Sequence, residues 1–305
     1  MEVEVESENP WTVVVEESEP TVLVKDVVID AEKGISIRIF RPTTTSTCSS
    51  SDGKTETSTR MPITFYLHGG LILSGSSSMF SDKICEHGAI SFPALVLHVN
   101  YRLGPNHRLP TAFYDVEAAI RWVRKQALDS DGEPWLRELG DFSQCYIVGW
   151  SSGGNIAYFS MLHLLGLDLE PVKLCGLILS QPVFGGVKRT RSELQYANDL
   201  ILPLSMTDQY WKSILPVGAD RDHEFCNPMV EGCTTDKIRL LGKCFVRGFG
   251  GDVSTDRQKE LVEMLLKHGV QVEAHFDEIG FHGIDLVDFR RASITFSMLR
   301  EFLTD

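Results

Sequence analysis

The sequence predicts an α/β fold, a mostly parallel central sheet with helices on both faces. Two observations predict it. Short runs rich in β-branched residues alternate with longer segments whose apolar residues recur at helical spacing. The chain also has 305 residues, 43% of them hydrophobic and 23% charged, enough to bury one large core.

The elements follow in order. Val22 to Val28 and Ile35 to Phe40 read as strands, and Thr43 to Thr59, almost all small polar residues, as a surface loop between strands. Ile63 to Leu67 is a strand entering the turn His68-Gly69-Gly70, and Ala94 to Val99 is a buried strand. Tyr114 to Ala127 has helical periodicity, with Asp115 and Glu117 placed at its start, where the helix dipole favours acids. Cys145 to Val148 is a strand running into Gly149, and Asn155 to Leu165 a helix packed on both sides. Leu174 to Leu179 and Lys243 to Arg247 are further strands. Asp256 to His268 is an amphipathic helix ended by Gly269. Val270 to Phe276 is the last strand and Phe289 to Leu303 the closing helix.

Residues 22–305 read as one domain, preceded by a poorly ordered or short cap segment, 1–21, with a β-like run at Thr12 to Val15. The alternation breaks between about Gly185 and Asp236, which reads as a lid-like insertion over the carboxyl edge of the sheet.

A formal net charge of −13 argues against nucleic acid or an anionic membrane as partner. No basic-then-apolar leader opens the sequence and no long apolar run crosses a bilayer, so a cytoplasmic protein is expected. The seven cysteines, at 48, 85, 145, 175, 226, 233 and 244, form neither a CxxC pair nor a zinc spacing, and read mostly as small core residues.

The chemistry centres on Gly149-Trp150-Ser151-Ser152-Gly153. It matches G-x-S-x-G between a strand and a helix, where glycines permit the sharp turn that lifts a serine hydroxyl out of the sheet. The Ser152 N–H, at the helix start, faces an oxyanion. A serine needs a base, and the base an orienting carboxylate, in the chain order Ser, acid, His. His282 stands in the turn Gly280-Phe281-His282-Gly283, and Asp252 follows Gly250-Gly251 after a strand. Asp256 is the rival acid, but its place suits the start of a helix. Gly69 and Gly70 offer further N–H groups to the oxyanion.

These residues carry a resemblance. The stretches Tyr66 to Gly70, Asn100 to Pro110, Gly149 to Tyr158, Gly218 to Glu224 with Cys226-Asn227-Pro228, Gly251 to Gln258 and the His282 turn resemble the plant carboxylesterases, which are related to hormone-sensitive lipase and the gibberellin receptors. The resemblance implies an α/β-hydrolase fold, hydrolysis of short acyl esters of plant small molecules, and no cofactor; no metal is expected, because no Cys, His or Asp spacing matches a metal site. It implies a Ser151, Asp252, His282 triad, with N–H groups of Gly70, Leu71 and Ser152 as the oxyanion hole. Four departures stand out. Leu71 replaces the family's third glycine in a loop that is short before Phe80, and Trp150 replaces an acid before the nucleophile. The N-terminal cap is reduced, and Gly104 and Asn106 replace the usual Ala and Glu. Trp150 either shapes the substrate pocket, with Tyr210 and Trp211 of the insertion, or packs against the elbow.

The remaining polar clusters have structural readings. Arg102, His107 and Asp115 tie a loop to a helix, and Asp220 to His223 form a loop salt-bridge network. Beside ester hydrolysis, two alternatives remain open at this level. The altered oxyanion loop suits a non-hydrolytic lyase or cyclase using His282 for proton transfer. A ligand-sensing receptor conflicts with the retained His282 and the reduced cap.

Overall fold

The computed structural model of the chain describes residues 21–43, 60–70, 79–230 and 235–304. The β-like run Thr12 to Val15, the expected cap segment, nearly all of the polar loop 43–59, Leu71, Cys48 and Cys233 lie outside the described residues.

Among the described residues eight strands form one sheet: β1 (Val22–Asp30), β2 (Ile35–Pro42), β3 (Met61–Leu67), β4 (Leu95–Asn100), β5 (Gly140–Trp150), β6 (Leu174–Ser180), β7 (Lys243–Phe249) and β8 (Val272–Asp277). Their order is β1-β2-β4-β3-β5-β6-β7-β8. β2 pairs antiparallel with β1 and β4, and every other pairing is parallel. The edge strand β1 alternates half-buried and exposed residues, whereas β4 and β7 are buried almost throughout. A strand covered on one face alternates; one covered on both has no polar side to show.

The long helices are α1 (Met79–Ser91), α2 (Thr111–Leu128), α4 (Ser152–Leu164), α6 (Leu204–Ile214), α8 (Thr255–Lys267) and α10 (Phe289–Thr304). Short helices are α3 (Pro134–Leu139), α5 (Arg191–Gln195), α7 (Thr235–Ile238) and α9 (Ile284–Val287). Residues of α2, α4 and α8 join the main apolar core on one face of the sheet. α1 and α10 bury Cys85, Ala89, Leu299 and Phe302 against the other face. Consecutive residues of β5 divide accordingly: Cys145 and Ile147 enter the first core, Tyr146 and Val148 the second.

The expected strands and long helices are present within a few residues of the bounds read from the pattern. α1 and α6 are exceptions, absent from that reading, which had only a loop-rich insertion where α6 lies. Asp115 is another, because α2 starts at Thr111 and places it past the first turn. Its carboxylate instead takes hydrogen bonds from the Arg102 guanidinium at 2.6 Å and from the Arg102 N–H at 2.9 Å. That pair ties the loop after β4 to α2 as expected, while His107, its proposed companion, is exposed. In the second cluster Arg221 reaches Asp208 and the Gly186 carbonyl, and Asp222 accepts from Val187 N–H and Asn227. α8 closes as read, with Gly269 at φ +78° and the Val270 N–H donating to the Leu265 carbonyl.

The chain crosses over between β4 and β5, so β3 and β5 leave the sheet at the point where the strand order reverses. Ligands of open α/β sheets bind at the carboxyl ends of strands there. The loops after β3, β5, β6, β7 and β8 supply the site.

Candidate active site

Ser151 caps α4 with φ 56° and ψ −124°, a backbone conformation that an L-residue holds only under constraint. The constraint is visible on three sides. The Ser151 N–H donates to the Ser180 carbonyl at 2.9 Å, and its carbonyl accepts from Gly154 at 2.9 Å and Val183 at 3.1 Å. A side chain at Gly153 would run into the backbone carbonyls of Leu67 and His68, so the elbow packs directly on the end of β3.

Asp252 and His282 come from loops after neighbouring strands. The two loops touch backbone to backbone: a Cβ on Gly251 would strike the Gly280 carbonyl. The Ser151 Oγ lies 2.8 Å from His282 Nε2, and His282 Nδ1 lies 2.9 Å from Asp252 Oδ2. All three are buried, at 2%, 5% and 1% exposure respectively, so water competes little for these bonds. Burial by itself would raise the Asp252 carboxyl pKa. The His282 ring beside it and two hydrogen bonds from Ser254 outweigh burial and hold the pKa below the ordinary carboxylate value. Asp252 Oδ1 accepts from the Ser254 N–H at 2.9 Å and its hydroxyl at 2.7 Å. Oδ2 accepts from Gln258 at 3.0 Å and Gln181 at 3.1 Å besides the imidazole. The rival Asp256 lies in the first turn of α8 and accepts from the Ser192 N–H at 2.7 Å. The helix cap is Ser254 rather than Asp256.

The turn after β3 lies beside the elbow. A Cβ on Gly69 would meet Ser151 Cβ at 2.7 Å and the Trp150 ring, and Gly70 has φ +117°. His68 anchors the turn. Its ring stacks on Tyr101 with centroids 4.7 Å apart, and its Nδ1 lies 2.7 Å from the Gly69 carbonyl. Burial pushes its pKa down to about 4, so the ring is neutral at physiological pH. The Tyr101 hydroxyl donates to the His68 carbonyl at 2.6 Å. The Asn-Tyr-Arg stretch after β4 thus holds the glycine turn through Tyr101 and its own loop through Arg102. Ser152, whose N–H belongs to the unpaired first turn of α4, follows directly on Ser151.

The aromatic candidates separate. Trp150 lies against the glycine turn and the histidine loop, its ring 5.6 Å from that of His282. It also lines a largely apolar cavity of about 340 Å³ under α1 and α10, with Tyr66, Phe245, Asp285 and Phe296. Tyr210 borders a cavity of about 30 Å³ with Tyr101, Leu109, Ser152 and Ile156. Trp211, expected on the pocket wall, is instead a core residue, 1% exposed, because α6 turns that face inward. Around α6 the segment 185–236 attaches to the start of α4, where Asn155 donates to the Phe225 carbonyl at 2.9 Å.

Sequence reasoning missed Gln181 and Gln258. Gln181 stands in no recognisable motif, and Gln258 closes the family-like stretch Gly251 to Gln258 without having been given a role there. Gln258 was legible only as a residue about one turn into the helix after Asp252, and Gln181 only as a polar residue closing an apolar strand.

Comparison with known proteins agrees with this architecture. Residues 64–286 match the family described by the alpha/beta hydrolase fold. A probable carboxylesterase of Arabidopsis thaliana is 45% identical over 282 residues, covering 92% of this chain and 85% of the relative. A 3-O-acetylpapaveroxine carboxylesterase of Papaver somniferum is 43% identical, covering 87% and 84%. A gibberellin receptor of Oryza sativa subsp. japonica is 31% identical, covering 90% and 75%. Among solved structures, a thermostable esterase from Pseudomonas putida superposes with a TM-score of 0.75 at 20% identity, covering 93% of this chain and 82% of that one. The chain belongs to the α/β-hydrolase family, among the plant carboxylesterases.

Proposed function

We propose that the chain hydrolyses short acyl esters of plant small molecules through a Ser151-His282-Asp252 triad and an acyl-enzyme. One observation carries the reading: a buried hydroxyl, imidazole and carboxylate stand in a line, 2.8 Å and 2.9 Å apart. With Nδ1–H donating to the Asp252 carboxylate, Nε2 carries the lone pair that accepts the Ser151 proton. Ser151 Oγ then attacks the ester carbonyl, and the carbonyl oxygen gains the negative charge. N–H groups of Ser152 and of the turn at Gly69, Gly70 and Leu71 receive that charge. The His282 imidazolium returns its proton to the departing alcohol oxygen, which leaves as the C–O bond breaks. Asp252 stabilises the imidazolium and fixes its tautomer. A water, deprotonated by the same nitrogen, releases the acid and restores Ser151.

The short acyl part of the proposal draws on the crowding at the elbow. Gly69 lies close against Ser151 Cβ, and the space at Ser152 is about 30 Å³. The plant relatives are named as carboxylesterases, one of them for an O-acetylated compound, which supports a small acylated metabolite as the partner. Hydrolysis of p-nitrophenyl acetate tests the reading. The wild type is expected to turn it over and Ser151→Ala to lose at least about 10³-fold in kcat. Equal turnover by the variant would remove Ser151 from the mechanism.

A further inference from the structure

The carboxamide of Gln181 ties together the two loops that bring Asp252 to His282. Gln181 directly follows β6, is wholly buried, and with Ser151 is one of two non-glycine residues at positive φ among the described residues, φ 46°. Its backbone N–H donates to the Arg247 carbonyl at 2.8 Å. This unusual backbone turns the side chain under the site, where every polar atom of the amide is used. Nε2 donates to Asp252 Oδ2 at 3.1 Å and to the Phe281 carbonyl at 3.0 Å. Oε1 accepts from the Gly283 N–H at 2.9 Å.

The amide has one workable orientation. Reversed, its oxygen would face a carboxylate and a carbonyl, and its NH₂ would face an N–H. One side chain therefore spans three segments: the end of β6, the loop carrying Asp252, and both residues flanking His282. The imidazole is gripped from two directions, through its Nδ1 on Asp252 Oδ2 and through the backbone on either side of it. The donor on Oδ2 has an electrostatic effect too. It shares the carboxylate charge that would otherwise go entirely to the histidine.

We propose that Gln181 is a positioning residue for the reaction: it holds the His282 loop at hydrogen-bonding distance from Ser151 and moderates the pull of Asp252 on the imidazole proton. This rests on the triad reading above. No bond to substrate is involved, so substrate binding is left alone. Asp252 and His282 are the titratable side chains at this contact, and Asp252 is the charged group bonded to the Gln181 amide. The Arg247 guanidinium is directed to Asp277 instead, at 2.7 Å and 3.0 Å.

Two near-isosteric variants test the proposal with p-nitrophenyl acetate, each corrected for folded fraction by its melting curve. Gln181→Met removes all three side-chain hydrogen bonds. Gln181→Glu keeps the acceptor for Gly283 but sets a second carboxylate against Asp252. In both, kcat is expected to fall about 10- to 100-fold with KM within about twofold. In both, the acidic limb of the kcat/KM profile is expected to move to higher pH, because an unshared Asp252 charge favours the protonated imidazole, and further for Glu than for Met. A part that only supports the fold would lower the amount of active enzyme without moving that limb. Profiles that superimpose on the wild type, or a rise in KM at constant kcat, would overturn the proposal.

A measurement on the unmutated protein decides the case in which neither variant folds. The Gln181 carboxamide protons are expected to exchange slowly with solvent by NMR, and fast exchange would overturn the clamp. Ser151→Ala judges the triad separately. Wild-type turnover lost in Ser151→Ala but unchanged by the Gln181 variants removes the clamp alone. Absent wild-type turnover removes the triad reading and leaves hydrogen exchange to decide on the clamp.

Discussion

Two carboxylates near the site, Asp252 and Asp285, have opposite fates for one reason. Asp252 is fully buried yet surrounded by donors: the His282 ring, Gln181, Gln258 and two from Ser254. Its pKa is held down, so the stability it contributes is present at neutral pH and lost as acid protonates it in the fold. Asp285, three residues beyond His282, has no hydrogen-bond partner for its Oδ1 among the described residues, and burial pushes its pKa up to about 6. A carboxyl whose folded pKa is raised favours the protonated fold. Its penalty is absent in acid, grows as pH rises past the unfolded value of about 3.9, and is complete above the folded value. Asp285→Asn is therefore expected to stabilise the protein by about 2–3 kcal/mol at pH 8 and by almost nothing near pH 4. Denaturant melts of both proteins at the two pH values check this; a gain of equal size at both would contradict it. At this scale Ser151, Asp252 and His282 were legible because each stands in a glycine-flanked turn after a strand, in the right order. Gln181 was not, since its work depends on a backbone conformation and a contact 71 residues away. Leu71, the departure from the family's turn, lies outside the described residues.

Among the elements, loops after parallel strands carry the chemistry and their backbones set its spacing. Gly251 lets the loop after β7 pack against the Gly280 carbonyl of the loop after β8. Gly251→Ala is expected to wedge these loops apart and lengthen the His282–Asp252 contact. A shift of about 1 Å at a reacting centre costs on the order of 10²-fold in rate. The expected result is a kcat loss of that order for p-nitrophenyl acetate while the protein still melts cooperatively; wild-type kcat would show that the loops tolerate the wedge. Period-2 and period-3.6 patterns made most elements legible, α8 most clearly, with its apolar stripe and terminal Gly269. α1 escaped because Cys85, Gly88 and Ala89 give a weak apolar stripe of small residues. α6 escaped because it is a short amphipathic stretch within the insertion between Gly185 and Asp236, outside the strand–helix alternation. The Asp115 expectation failed because α2 begins at Thr111 and carries Asp115 past the first turn, where its partner is Arg102 rather than the helix dipole.

For the molecule as a whole, alternating strand and helix announced a parallel sheet, but the strand order was not in the pattern. Where the chain crosses over is decided by packing between distant segments, and the crossover between β4 and β5 is what brings the His68 turn beside the Ser151 elbow. The segment 185–236 was legible as an interruption of the pattern, and its inner contacts were not: Trp211 reads as a pocket aromatic in sequence and is core in the fold. All of the proposed chemistry converges on one claim, that this architecture makes an ordinary serine reactive. Intact-protein mass spectrometry after treatment with a fluorophosphonate probe tests it most directly. The account predicts a single covalent adduct that maps to Ser151 and disappears in Ser151→Ala and His282→Ala. A folded wild-type protein that stays unlabelled, or carries the adduct elsewhere, would contradict it.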